Sequence, residues 1–241
     1  MSGQESSRYA NSLEIQSRLA HAKNYNEWLF GHAKGYIHDR VLEIGCALGS
    51  FTKKLIDREY VCVVDLEEEY VKKIRDVFKD APNFKAIVCD IASPAILELK
   101  NHRFDTIMCF NVLEHVKDDA RALEHMNQLL SARGYLCLVV PAFQSIFGEM
   151  DKTDNHYRRY SKKQLTEKVR SAGFTVAHCA YMNMPGFFGW WFNGKIVKRQ
   201  LIPFSQMLAY DKIVPAVRFM ESLIKPPFGQ SLVLVAEKIT D

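Results

Sequence analysis

The sequence has no CxxC pair, no uninterrupted apolar run of about 18 residues, and no apolar segment following a basic start. Each absence removes a class. The six cysteines (Cys46, Cys62, Cys89, Cys109, Cys137 and Cys179) lack the spacing of a zinc ribbon or a redox pair. Most sit in apolar runs, so reduced buried thiols and a cytoplasmic protein are expected. Neither a membrane span nor a secretory signal is expected. Acidic residues are missing from one stretch: none occurs between Lys168 and Tyr210, where Lys168, Arg170, Lys195, Lys198 and Arg199 fall. The formal charge of +4 is too mild to argue for nucleic acid as a partner.

What remains is an ordinary globular composition, 48% hydrophobic and 25% charged over 241 residues, enough for one large domain. Short apolar strands alternate with helical stretches, the pattern of a parallel sheet covered on both faces. The expected strands are 40–44, 60–64, 84–89, 104–109 and 134–140. Helices are expected at 13–30, 50–57, 67–80 and 118–130. After Pro141 the rhythm changes. A loop without clear period runs over 142–160, and Ser161 with Gln164 suits a capping box for the next helix. A strand follows at 174–181, then an interruption at 184–228 with five prolines and an aromatic cluster, then a last strand at 231–237. One domain is expected, with an N-terminal helical cover (13–35), a core (40–141), an acceptor loop (142–160) and a lid or cap (184–228). The first dozen residues, short and polar, read as loose.

The segment VLEIGCALGS carries the strongest signal. A buried strand ends at Glu43, turns through Gly45, Cys46 and Gly49, and opens a helix at Ser50; glycine there allows close approach of a ligand. The next strand ends in Asp65-Leu66, twenty residues after Gly45, where an acid suits the two hydroxyls of a ribose. A third strand ends in Asp90-Ile91, a fourth in Asn111-Val112 followed by Glu114-His115. Open α/β sheets bind ligands at the carboxyl ends of their strands, so these residues share one lip.

VLEIGCALG, VVDL, CDIA and FDTIMCFNVLEHV together resemble the successive motifs of class I S-adenosylmethionine-dependent methyltransferases. The resemblance covers about residues 40–141. It implies a Rossmann-like, seven-stranded, mostly parallel sheet with an antiparallel last strand, and S-adenosyl-L-methionine as cofactor. It implies that Glu43, Gly45, Cys46 and Gly49 face the methionine part, Asp65 and Leu66 the ribose, and Asp90 and Ile91 the adenine. Asn111 and Val112 would lie beside the amino acid moiety, with Tyr25 and Trp28 covering the cofactor. Ala47 departs from the family, which usually has glycine there, and it counts against a dinucleotide site. Relatives of the ubiquinone-biosynthesis type hold a divalent metal through E-x-x-E-H. Here Asn111 stands first, leaving Glu114 and His115, and no metal is expected.

Methyl transfer needs the acceptor aligned and, where required, a proton removed. His115 and His156 are candidate bases. Arg158 and Arg159, beside Tyr160, suit a phosphate or carboxylate; alternatively this loop is charged and solvated, with one arginine paired to Asp151 or Asp154. The aromatic-basic run 184–199 reads as the wall of an acceptor pocket, a peripheral membrane contact or a dimer contact. The leading expectation is transfer to oxygen or nitrogen of a small or lipid-linked, and in one version anionic, acceptor. Alternatives are an RNA methyltransferase, a NAD-binding oxidoreductase and a non-catalytic scaffold.

Overall fold

The computed structural model describes residues 13–239; the polar opening dozen lies outside them. Seven strands form one sheet: β1 Arg40–Ile44, β2 Tyr60–Asp65, β3 Phe84–Val88, β4 Phe104–Phe110, β5 Leu130–Pro141, β6 Phe174–Met182 and β7 Ser231–Lys238. Their order across the sheet is β3-β2-β1-β4-β5-β7-β6. The pairings among β1 to β5 are parallel, and β7 runs antiparallel to both neighbours. This is the Rossmann-like arrangement expected from the motifs. β5 begins four residues earlier than its apolar run suggests, because Leu130 pairs with Phe104 across a register shift.

Alternate residues of each strand feed opposite faces, so the core has two halves. Leu42, Ile44, Cys62, Val64 and Ile107 pack with Ala122, Leu123 and Met126 of α4 (Asp119–Leu129) and with Leu165 and Val169 of α6 (Lys162–Ser171). The other face brings Val41, Val61, Val63, Val139 and Val233 against α1 (Lys23–Ala33), α2 (Thr52–Leu55) and α3 (Glu68–Val77). The anticipated capping box is present: Ser161 Oγ accepts from Gln164 N while the Gln164 side chain reaches back to Ser161 N.

Three expectations are refined. The single helix over 13–30 breaks at His21–Ala22, with residues 13–20 helical and α1 starting afresh at Lys23. The start of α1 is held from outside. Asp211 accepts from the backbone of Asn24 (3.2 Å) and Tyr25 (2.9 Å), supplying the cap that Ala22 lacks. Next, the 142–160 loop contains a short helix, α5 (Glu149–Thr153), too brief to show a period. Finally, the 184–228 interruption is largely helical: α7 (Met184–Trp191), a π-helical turn (Phe192–Ile196) and α8 (Phe204–Leu223). α8 is no simple lid, since its Val214 and Val217 are buried in the second core half.

Candidate active site

The glycine turn after β1 is built from left-handed backbone. Gly45, Ala47 and Gly49 have φ of 80°, 42° and 76°. A Cβ at Gly45 would lie 2.3 Å from Val112 Cγ2, and one at Gly49 would lie 2.5 Å from Ile74 Cδ1. Both glycines are therefore demanded by conformation and by space. Ala47 takes the left-handed backbone at a steric cost, and its N–H donates to Asp65 Oδ2 at 2.9 Å.

The strand-end acids have different surroundings. Glu43 is buried and accepts from Thr52 Oγ1 at 2.6 Å. Burial pushes its carboxyl up to about 8 against the Thr52 hydrogen bond, with nearby Asp65 adding to the rise. Asp65 accepts from Ala47 N and Glu67 N, one on each oxygen. The Cys46 thiol and the Leu66 N–H also interact with this carboxylate. Burial raises its pKa while those N–H groups oppose the rise. Asp90 is exposed and closes a turn by accepting from Ala92 N at 2.8 Å. Ile91 is buried beside it and Leu66 is exposed. Cys46 is buried. Asn111, at φ 53°, and Val112 follow the end of β4. Tyr25 sits near Ser231, Asn183 and Arg159 at the start of β7. Trp28 is 4% exposed and belongs to the core.

Residues 113–115 then bring Glu114 and His115 against the 142–160 segment. The His115 and His156 rings meet edge to face at 4.7 Å. Ligating atoms of Glu114, His115 and His156 all lie within 4.8 Å of one another. Glu114 is buried, and its Oε2 has no hydrogen-bond partner among the described residues. A lip of this construction, with acids ending three strands and a glycine turn at the first, fits an adenosyl-amino-acid cofactor.

The methyltransferase domain family matches residues 11–179. This chain belongs to the class I S-adenosylmethionine-dependent methyltransferases. Its cofactor is S-adenosyl-L-methionine. The chain is 33% identical over 124 residues to the non-reducing polyketide synthase Preu3 of Preussia isomera, covering 46% of this chain and 5% of that protein. It is 24% identical over 129 residues to a malonyl-(acyl-carrier protein) O-methyltransferase of Ilyobacter polytropus, covering 52% of this chain and 45% of that one. It thus spans less than half the length of either curated relative. The fold is shared with the N-methyltransferase NodS of Bradyrhizobium japonicum, solved with S-adenosyl-L-homocysteine. The TM-score is 0.56 at 14% identity, over 90% of this chain and 86% of that one. Membership in this family sets aside the NAD-binding reading.

Beside the methyltransferase lip, charge is arranged around Asp151, which is fully buried. Its Oδ1 accepts from His156 Nδ1 (2.8 Å) and Arg159 Nε (2.7 Å). Its Oδ2 accepts from Gly148 N (2.9 Å) and from Trp190 Nε1 of α7 (3.0 Å). Burial works to raise the Asp151 carboxyl, but His156 and Arg159 outweigh it and hold it down at about 2. His156 also reaches Asp154 at 3.2 Å through Nε2. Burial disfavours its cation, yet the two carboxylates lift it to about 9. His156 is therefore protonated at neutral pH and is not a free base, a correction to its expected role. In His115, burial lowers the pKa to about 4, helped by cationic His156 and opposed by Asp154, so its ring is neutral. Burial lifts Glu114 to about 7 against the pull of His156.

The arginine pair is also corrected. Arg159 is buried, bonded to Asp151 and to the Ala142 carbonyl, with its guanidinium 4.9 Å over the Trp190 ring. Arg158 bonds Asp119 (2.8 Å) and the Lys117 carbonyl (2.7 Å), and Tyr160 OH donates to the same Asp119 at 2.9 Å. Lys168 completes that cluster at 2.7 Å. Both arginines thus fasten the segment to the domain instead of offering an open fork, much as the solvated-loop alternative anticipated a paired arginine. Asp151 itself was missed as the centre, although Gly148-x-x-Asp151 has helix-start spacing.

Proposed function

We propose that this enzyme transfers the methyl group to oxygen or nitrogen of a small or lipid-linked acceptor with anionic character. The acceptor would lie between the strand ends, the 142–160 segment and the 184–228 insertion. Glu43, Gly45, Cys46 and Gly49 hold the methionine part in this reading. Asp65 and Leu66 hold the ribose, Asp90 and Ile91 the adenine, and Asn111 and Val112 the amino acid end. Tyr25 borders the same space. The cofactor supplies an electrophilic methyl group on a sulfonium.

The observation that carries the proposal is the pairing of neutral His115 with cationic His156 at 4.7 Å beside the end of β4. His115 can accept a proton from an acceptor hydroxyl or amine. His156 favours negative charge developing there, because a fixed cation in a dry site acts at low effective dielectric. Arg159, Arg158 and Tyr160 support this pair from behind. Exposed Phe188, Trp191, Phe192 and Ile196 support contact of 184–199 with a membrane, where a lipid-linked acceptor would be met. The six cysteines are unpaired, in keeping with a cytoplasmic setting. No described helix is long and apolar enough to cross a membrane.

The test is to supply methyl-labelled S-adenosylmethionine with a panel of small phenols, amines, carboxylates, extracted lipids and RNA. Label in a small or lipid acceptor, lowered about a hundredfold by His115→Ala, supports the proposal. Label in RNA alone would overturn the acceptor class and leave the family standing.

A further inference from the structure

The six basic residues of the 184–228 insertion are Lys195, Lys198, Arg199, Lys212, Arg218 and Lys225, and its two acids are Asp211 and Glu221. The rest of the chain has twenty-six of each sign, so the formal charge of +4 resides in this insertion. Both acids are turned inward. Asp211 caps α1, and Glu221 accepts from Asn183 N (3.0 Å) and Met184 N (2.8 Å) at the start of α7. Among the described residues, none of the six basic side chains forms an ion pair.

α8 has two stripes. Val214 and Val217 face the core, while Ile213, Phe219, Met220 and Leu223 face outward at helical spacing, continued by Ile224. Phe219, Leu223 and Ile224 are 65%, 70% and 72% exposed. Phe188 of α7 stacks edge to face at 5.7 Å on Phe228, four residues beyond Ile224, and Trp191, Phe192 and Ile196 are exposed as well. Large outward apolar side chains flanked by unpaired cations, with the acids withdrawn, match a lipid surface of negative charge.

We propose that α8 and the exposed end of α7 dock in the plane of an anionic lipid bilayer. Residues Ile213 to Ile224 enter the interfacial layer, and Lys195, Lys198, Lys212 and Lys225 meet the headgroups. This deepens the membrane contact offered above and rests on that reading. It extends the contact from 184–199 to a helix whose opposite stripe is core. Docking would thereby be transmitted to α1 through the Asp211 cap and to the Asp151 cluster through Trp190.

The test is sedimentation of the full chain with vesicles of phosphatidylcholine alone or with about one-third phosphatidylglycerol, alongside calorimetry of S-adenosylmethionine binding. The expected result is binding at least about tenfold stronger to the anionic vesicles, falling about tenfold or more between roughly 0.1 M and 0.5 M salt. Phe219→Glu with Leu223→Glu should lose about tenfold or more in vesicle binding while cofactor affinity is kept. Lys212→Glu with Lys225→Glu, at exposed positions, should do the same and covers the case in which the first variant misfolds. Equal binding to neutral and anionic vesicles, or none to either while the cofactor still binds, overturns the docking proposal alone. So does a dimer in sedimentation velocity that Leu223→Glu dissolves, since a second copy would then cover the stripe. Loss of cofactor binding by the unaltered chain would instead strike at the cofactor site itself.

Discussion

Asp151 and His156 form a buried ion pair, 2.8 Å from Oδ1 to Nδ1, with side-chain exposures of 0% and 6%. The same carboxylate receives Arg159, Gly148 and Trp190, so the segment after β5 and the insertion before β7 meet on one charge. Removing it would leave two cations buried without a partner. Asp151→Ala is expected to cost about 3–5 kcal/mol in urea unfolding, the range for breaking a buried pair from one side. A loss below about 1 kcal/mol would show that solvent or Asp154 replaces it.

Stability should fall on the alkaline side. His156 is raised from 6.5 to about 9, so its contribution is complete below 6.5 and is lost as pH rises through about 9. Glu114 and Glu43, raised from 4.5 to about 7 and about 8, also resist ionisation, and their burial turns costly as pH climbs through those values. On the acid side, His115 is lowered from 6.5 to about 4 and Asp151 from 3.8 to about 2. Their contributions vanish as pH falls through those values. Summed over these five groups, thermal melts should be highest near about pH 4.5, decline gently to about 6.5 and more steeply towards about 9.5, and His156→Gln should flatten the decline between about 6.5 and 9. An unchanged profile would mean that His156 is not held as a cation.

Cofactor affinity should be most sensitive at the glycine turn and its acid partner. Asp65→Ala should weaken S-adenosylmethionine binding more than about tenfold, or about 1.4 kcal/mol. Gly45→Ala should do at least as much, through positive φ and the 2.3 Å approach to Val112 Cγ2. Adding Val112→Ala should recover only the steric part. Calorimetry that finds full affinity in either single variant would move the cofactor off this turn.

Much of this architecture is written in the sequence. Strands buried on both faces announce themselves as short apolar runs, and the turn at Gly45 and the acids ending β1, β2 and β3 stand at spacings set by the sheet. Ser161 and Gln164 announce α6 because a capping box is local. The Asp151 cluster is not local: Trp190 lies 39 residues away, and α5 has only five residues. Arg158 and Tyr160 resemble site residues in sequence because their partner Asp119 is about forty positions upstream. α8 was hidden for another reason. Pro215 interrupts it, and its outward stripe is as apolar as its inward one, which erases the amphipathic signal.

Divalent metal should not matter to the folded state. Glu114, His115 and His156 converge, but both ring nitrogens of His156 already hold carboxylates. Chelator should leave the melting temperature and cofactor affinity unchanged. A rise of several degrees with magnesium, manganese or zinc, abolished by His115→Ala, would make this cluster a metal centre.

The strand order also governs what a growing chain can do as it leaves the ribosome. Among the described residues β6 pairs with β7 alone, which lies between it and β5. β1 to β5 can assemble as soon as they are made, but β6 must wait, unmated, through the whole of α7 and α8 until Ser231–Lys238 is synthesised. Residues 174–238 therefore settle together in one late step. A translational pause within that interval would leave an aromatic-rich, half-finished flank open to chaperones or to a neighbouring nascent chain.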